Sequence, residues 1–410
     1  VRNSTSGCVS VSYPITVTVV ALPTVSTGTN PSVCRGATSA LLSFTTTNSP
    51  NQYSIDYNAA ANTAGFTDVT NAALPGGGNF TLVVPAAAAA TTYNGTLTVR
   101  NSTTGCVSTG QAITVTILQP TVSITGSTAI CTGATTQLSP ATGGTWVSNS
   151  PAVASVDNSG LVTGLTGGTA TFTFTETATG CSNTTSAVTV NTNSTMSLFS
   201  AVGTDNQTKC INTAITSIVY QLGGGATGAT LSGQPAGVSG SYNSGTKRYT
   251  ISGSPTASGI FNYTVTTTGP CTNVSLGGTI DVTPNSTLTL QSAGATTTQT
   301  VCQNSAITDI TYTVGGSGTG ANVTGLPAGV TGVYNAGTVT ISGSPTAAAG
   351  AYSYTVTTTG PCAQASLGGT ITVNPVPVTT GVSICQGTAA GTMSVSSTCP
   401  SGTAQTAGPN

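Results

Sequence analysis

The sequence predicts an all-β chain, a row of β-sandwich domains joined end to end. Three observations predict it. Val, Ile and Thr recur in two-residue alternation along most of the 410 residues, the pattern of half-buried strands. Long blocks of sequence return at domain-sized intervals. Eleven cysteines fall at matching places within those blocks.

Composition narrows the class further. There are six Lys or Arg, seven Asp or Glu and no His, whereas an ordinary soluble domain is about 25% charged. Disorder would fit the Thr, Ser and Gly content, but disordered chains carry high net charge and few β-branched residues. Here the net charge is −1 and β-branched residues abound, so strand is the better reading. With no basic patch to neutralise phosphates, nucleic acid is excluded as a partner. No apolar run reaches the ~18 residues of a membrane span, and no basic amphipathic helix is present, so no membrane insertion is expected. The chain has neither an initiator Met nor a signal peptide. It opens inside a repeat, so the expectation is a piece of something longer.

The repeats set the domain organisation. VRNSTSGCVS at 1–10 returns as VRNSTTGCVS at 99–108, followed by ITVTVV at 15–20 and ITVTIL at 113–118. Residues 1–22 therefore read as the last strands of a truncated domain, and 23–118 as a complete one. CINTAITSIVYQL from Cys210 matches CQNSAITDITYTV from Cys302, and YTISGSPTASGIFNYTVTTTGPC matches VTISGSPTAAAGAYSYTVTTTGPC. Both blocks end in a strand, SLGGTIDVTP or SLGGTITVNP, and their spacing of about 91 residues is the size of one sandwich. These give domains at 193–284 and 285–375. Between lies a shorter unit, 119–192, with turn chemistry at Asp157-Asn158-Ser159-Gly160 and Gly167-Gly168. Residues 376–410 read as the start of a further domain. Pro23, Pro120, Pro284, Pro375 and Pro377 stand near the joints and suit short, stiff connections. No helix of useful length is readable, and the Ala run at 86–90 reads as a loop or bent strand.

Each complete unit has one cysteine near its first strand and one just before its last. The expected pairs are Cys34 with Cys106, Cys131 with Cys181, Cys210 with Cys271 and Cys302 with Cys362, one intradomain disulfide per sandwich. Cys8 is the late cysteine of the truncated unit, Cys385 in VSICQGT opens the last one, and the partners of Cys8, Cys385 and Cys399 stay open. Metal binding is the rival reading, yet there is no C-x-x-C and no His, and the pairs lie 50 to 72 residues apart. A catalytic thiol would need a His or a cationic neighbour. Loops of this length contribute up to roughly 4 kcal/mol each in the chain-entropy model, and disulfides place the chain in an oxidising compartment or outside the cell.

At these residues the chain is similar to known families. Trp146-Val147-Ser148-Asn149-Ser150-Pro151 through Asp157, with Gly160-Leu161-Val162-Thr163-Gly164 and Gly168-Thr169-Ala170, resembles the bacterial group 2 immunoglobulin-like domain. The two 91-residue repeats, with PAGV and ISGSPT before a YTVTTTG strand, resemble the immunoglobulin- or cadherin-like domains of giant bacterial surface proteins; Gln234 replaces the usual Leu in the first. Units ending in STTGC and an ITVTV strand look like repeats of Bacteroidota proteins exported by the type 9 secretion system. The combination is similar to the SprB type of giant gliding-motility adhesin. The resemblance implies tandem immunoglobulin-like β-sandwiches on a bacterial cell surface, with neighbouring domains of the same chain as partners and surface glycans or envelope motility proteins beyond them.

No catalytic, cofactor-binding or metal-binding residues are expected. The carboxylates Asp56, Asp68, Asp157, Glu176, Asp205, Asp281 and Asp309 are spread thinly, where catalysis or calcium would need several converging. Asp157 with Glu176 is the one glycosidase-like pair within a unit, and Asp157 is better explained by its turn. The sequons at Asn3, Asn101 and Asn183 are of the number that an Asn-, Ser- and Thr-rich chain produces by chance. Trp146 and Tyr220, Tyr249, Tyr263, Tyr312 and Tyr354 fall in alternating strands and read as core. The expected function is a non-enzymatic stalk segment of an adhesin, with an inert, hydroxyl-rich surface. The alternatives are a glycan- or protein-binding module, or a subunit of a polymerising fimbrial or S-layer-like assembly.

Overall fold

The computed structural model describes residues 1–376; Pro377, Cys385 and Cys399 lie outside the described residues. Two compact units are separated at Thr192 and Asn193, and each holds two hydrophobic cores. The chain is all-β, a tandem of immunoglobulin-like sandwiches.

In the first sandwich, Thr24–Thr27, Ser39–Thr47 and Asn79–Val83 form one sheet. Ser32–Cys34, Gln111–Leu118, Thr92–Arg100, Gln52–Tyr57 and Val69–Ala73 form the other, in that order. Alternation decides which side chains meet: Ala40 and Leu42 point inward from Ser39–Thr47 while Leu41 faces water. Phe80 stacks on Phe44 with centroids 4.0 Å apart. Residues 86–90 form a loop, as expected, turned by Ala88 N–H donating to the Pro85 carbonyl. The sequence reading missed one short helix, Ala59–Thr63. Its signal was present in the chain: Asn58 caps it by accepting from Ala61 N at 2.9 Å, and Gly65 at φ +99° ends it.

The second sandwich, built from 123–191, uses shorter strands in three small sheets. Trp146 is buried against Phe174, centroids 5.0 Å apart, and its indole N–H donates to the Pro140 carbonyl at 2.9 Å. The Asp157 turn is as expected: Asp157 Oδ1 accepts from the backbone N–H groups of Ser159 and Leu161 and from the Ser159 hydroxyl. The Ser159 hydroxyl, with the Leu161 N–H, holds this carboxyl below its ordinary range.

The second unit contains two copies of one topology. Ser194–Leu198, Ile218–Gly224, Arg248–Gly253 and Val238–Asn243 face Asn206–Cys210, Ser275–Thr283, Gly259–Thr268 and Gly228–Ser232. The same order recurs from Thr287 to Asn374. At each centre two buried tyrosines join the sheets, Tyr220 to Tyr263 at 3.0 Å and Tyr312 to Tyr354 at 3.1 Å between hydroxyls. Both pairs are core, as the alternation predicted; one hydroxyl of each pair donates to the other, and Tyr263 Oη donates to the Asp205 carbonyl at 3.3 Å.

Burial, reinforced by the partner hydroxyl, raises Tyr263 and Tyr354 far above the ordinary phenol value of 10.0. A raised folded-state pKa means that this stability is complete below about pH 10 and is lost as pH climbs toward the folded value. With no His to titrate, the second unit's urea midpoint should stay flat from about pH 6 to 9 and fall above about pH 10. An unchanged midpoint at pH 11.5 would refute the assignment.

Candidate functional site: cysteines at the poles of the sandwiches

Among the described residues, each of the four early cysteines sits on a short strand that pairs in parallel with the last strand of the same sandwich. Cys34 lies opposite Leu118, Cys131 opposite Asn191, Cys210 opposite Thr283 and Cys302 opposite Asn374. Parallel pairing runs the two strands the same way, so the early cysteine ends up where the chain leaves, at the downstream pole. A common turn fixes it there. Each cysteine carbonyl accepts from the residue three positions on, Ala37, Ala134, Thr213 or Ser305. The residue two positions on has positive φ: Gly36, Gly133, Asn212 or Asn304.

The late cysteines lie in the hairpin before the last strand, at the upstream pole. Asn101 carries one such hairpin: its Nδ2 donates to the Ser49 carbonyl at 3.0 Å, beside Asn48, whose Nδ2 donates to Leu22 at 2.7 Å. In the second unit, Ser194 N–H donates to Thr272 and Ser286 N–H to Ala363, tying the first strand of each copy to its late-cysteine loop. A buried hydroxyl braces this hairpin in each of the four sandwiches with a hydrophobic core. Ser108 and Thr185 accept from Val99 and Phe172 N–H, and Thr267 and Thr358 accept from Val274 and Ala365 N–H. Six of the seven buried polar residues among those described belong to these poles, the exception being Thr136. Four of these hydroxyls are buried because each satisfies a backbone N–H of its hairpin, and Ser194 and Ser286 are paired with the side chains of Asn273 and Ser317.

This geometry overturns the intradomain pairing. Cys106 and Cys34 stand at opposite ends of the eight-residue strand Gln111–Leu118, roughly 25 Å at ~3.3 Å per residue, whereas a disulfide needs Cα atoms within about 7 Å. The bonds instead cross from one sandwich to the next. Cys34 is bonded to Cys181, Cα atoms 5.2 Å apart, and Cys210 to Cys362, at 5.6 Å. The expected pairs Cys34–Cys106, Cys131–Cys181, Cys210–Cys271 and Cys302–Cys362 are all excluded, because one member of each is bonded elsewhere or free. Cys131, Cys271 and Cys302 are also in disulfides. Cys106 carries a free, half-buried thiol and Cys8 a free, exposed one.

The first-unit junction has a polar frame around its bond. Arg35 Nη1 donates to Gln119 Oε1 at 3.2 Å, Gln119 Nε2 to Asn183 Oδ1 at 3.0 Å, and Asn183 Nδ2 to the Pro120 carbonyl at 2.9 Å. Asn183, a sequon residue, is thus a junction residue. Asn3 and Asn101 are occupied as acceptors for backbone N–H groups in their hairpins.

The other candidate groups stay apart. Asp157 is held in its turn, Glu176 accepts from Thr179 Oγ1 at 2.7 Å, and Asp68 accepts from Tyr57 N–H at 2.8 Å. Among the described residues no cluster of three His, Cys, Asp or Glu could hold a metal, and no helix is long and apolar enough to cross a membrane. The spacing of the cysteines gave no sign of which sandwich each would bond; that follows only from the parallel direction of the early strand.

No family profile matches the chain, and no curated protein matches it. Among solved structures it is similar to the titin I-band fragment I67–I69, with 11% identity over 62% of this chain and 98% of that one, TM-score 0.41. It is also similar to the N-terminal eight Ig domains of Down Syndrome Cell Adhesion Molecule, with 12% identity over 86% and 49%, TM-score 0.33. Drosophila N-cadherin EC1–4 aligns with 11% identity over 80% and 92%, TM-score 0.31.

Proposed function

We propose that the chain is a load-bearing stalk segment of a large extracellular adhesin, each of its four cores being one domain at 23–118, 119–192, 193–284 and 285–375. The observation that carries this reading is the disulfide joining consecutive sandwiches. A bond inside a domain stabilises that domain, whereas a bond across a junction holds neighbours in a fixed order and resists their separation. The resemblance of the repeats to Bacteroidota type 9-secreted adhesins of the gliding-motility type points the same way, as does a disulfide chemistry suited to an oxidising exterior. Trp146 and the paired tyrosines are buried in the cores, so these side chains are not available to a sugar-stacking face.

Two measurements test the reading. Electron microscopy of the purified surface fibre should show one continuous chain with no head-to-tail subunit boundaries; subunit boundaries would support a polymerising assembly instead. Because six basic and seven acidic residues are all that the chain carries, its self-association should change less than about twofold between ~10 mM and ~1 M salt. A steep salt dependence, or specific capture on a glycan array by one sandwich, would overturn the inert-stalk reading.

A further inference from the structure

The geometry points to Cys106 as the receiving half of one more inter-sandwich disulfide, whose other half is the early cysteine of the sandwich that residues 1–22 complete. This rests on the junction geometry and not on the stalk reading.

The first argument is equivalence. Cys181 and Cys362, each in the upstream hairpin of its sandwich, are both bonded to the early cysteine of the preceding sandwich. Cys106 occupies the same hairpin position, braced by the same kind of buried hydroxyl, and its thiol is free. The chain arrives at that pole through Leu22.

The second argument is the condition of residues 1–20. Their hairpin matches that of 99–108 bond for bond. Arg2 bridges Val9 as Arg100 bridges Val107. Asn3 N–H donates to Cys8 and Gly7 N–H to Asn3, as Asn101 donates to Cys106 and Gly105 to Asn101. The run that follows, which matches the buried last strand Gln111–Leu118, has nothing against it. Ile15, Val17 and Val19 are 87%, 79% and 90% exposed, although their counterparts Ile113, Val115 and Ile117 are at most 3% exposed. An alternating strand with its apolar edge in water lacks its own sandwich.

The occupant follows from the register. Cys34 lies opposite Leu118, and Leu118 corresponds to Val20 in the repeat. The missing strand therefore runs parallel to Thr18–Val20 with a cysteine opposite Val20. By the turn common to the four described early cysteines, its sequence is Cys-x-Gly or Cys-x-Asn. That cysteine would face Cys106 as Cys34 faces Cys181. On bond formation Cys106 Sγ and the partner Sγ join, and two protons and two electrons pass to a disulfide-bearing oxidant whose own S–S bond becomes two thiols. Cys8 would have the equivalent role at the next junction upstream.

The test is non-reducing proteolysis and mass spectrometry of the native surface protein, without reduction before alkylation. The expected result is a Cys106 peptide joined to a peptide reading Cys-x-Gly/Asn from the sandwich that contains Cys8. Recovery of Cys106 as an alkylated thiol would overturn the proposal. So would its recovery joined to Cys8, or to Cys385 or Cys399 of this or a second chain. Because a serine is readily accommodated at a half-buried loop position, the Cys106→Ser protein provides a second readout. It should fold and expose one additional titratable thiol per chain, mapped to the upstream strand. No new thiol there would equally overturn the assignment.

Discussion

Pulled from its two ends under oxidising conditions, the 410-residue chain should release far less length than its sequence contains, and thiol reductant should free roughly 1,000 Å more. The bonds Cys34–Cys181 and Cys210–Cys362 span separations of 147 and 152 residues, roughly 500 Å each at ~3.5 Å per extended residue. Force entering at the first sandwich passes from Cys34 through sulfur to Cys181, so residues 35–180 are shielded even after they unfold. Single-molecule force spectroscopy gives a sharp discrimination. Cys34→Ser should lengthen the fully extended molecule by roughly 450–500 Å, whereas Cys106→Ser should leave it unchanged, because in this chain Cys106 is free. If each sandwich were stapled within itself, the two substitutions would release the same length. Loops this long also contribute about 5 kcal/mol each in the chain-entropy model, more than the intradomain loops would have done.

Gly278→Ala should unfold or severely destabilise the third sandwich, by more than about 3 kcal/mol. A Cβ at this position would lie 2.0 Å from the Asp205 carbonyl oxygen and 2.6 Å from the Tyr263 hydroxyl. Neither can retreat cheaply: Asp205 accepts from Thr279 N–H, and Tyr263 is pinned between sheets by Tyr220. The second glycine of SLGGT exists so that the last strand can pass over the tyrosine hydroxyl. Gly369→Ala should act alike in the fourth sandwich, where the distances are 2.1 Å to Thr297 O and 2.5 Å to Tyr354 Oη. Gly245→Ala is the control. It meets nothing nearer than Asn243 Oδ1 at 3.4 Å and should cost less than about 0.5 kcal/mol. Thermal melting reads all three, with a loss of about 3 kcal/mol lowering the midpoint of a 90-residue sandwich by roughly 12–24 °C.

The fold class was legible because each strand states its own burial. Val115 and Ile251 alternate with hydroxyl residues, and no tertiary information is needed to put them inside. The Asp157 turn was legible for the same reason, since a carboxylate two residues before a backbone N–H acts locally. The helix at Ala59–Thr63 was overlooked because one turn and a half of Ala is weak against a β-rich background, although Asn58 and Gly65 marked both its ends. Cysteine pairing was different in kind. Cys34 and Cys106 were matched because they share a repeat, but a repeat boundary says nothing about strand direction. Only the parallel register of Ser32–Cys34 on Gln111–Leu118 sends Cys34 to the far pole. A partial signal stood in the sequence: every early cysteine is followed two residues later by Gly or Asn, the mark of a chain turning at the edge of its domain.

The junction bonds also bear on wear. A chain exposed to proteases is cut wherever a loop opens, and an ordinary tandem protein is severed by the first such cut. Here a break at any peptide bond from residue 35 to 180 leaves both halves joined through Cys34 and Cys181, and the Cys210–Cys362 bond does the same for residues 211–361. Damage within these two spans is thus converted from loss of the distal portion into a nick that the chain survives.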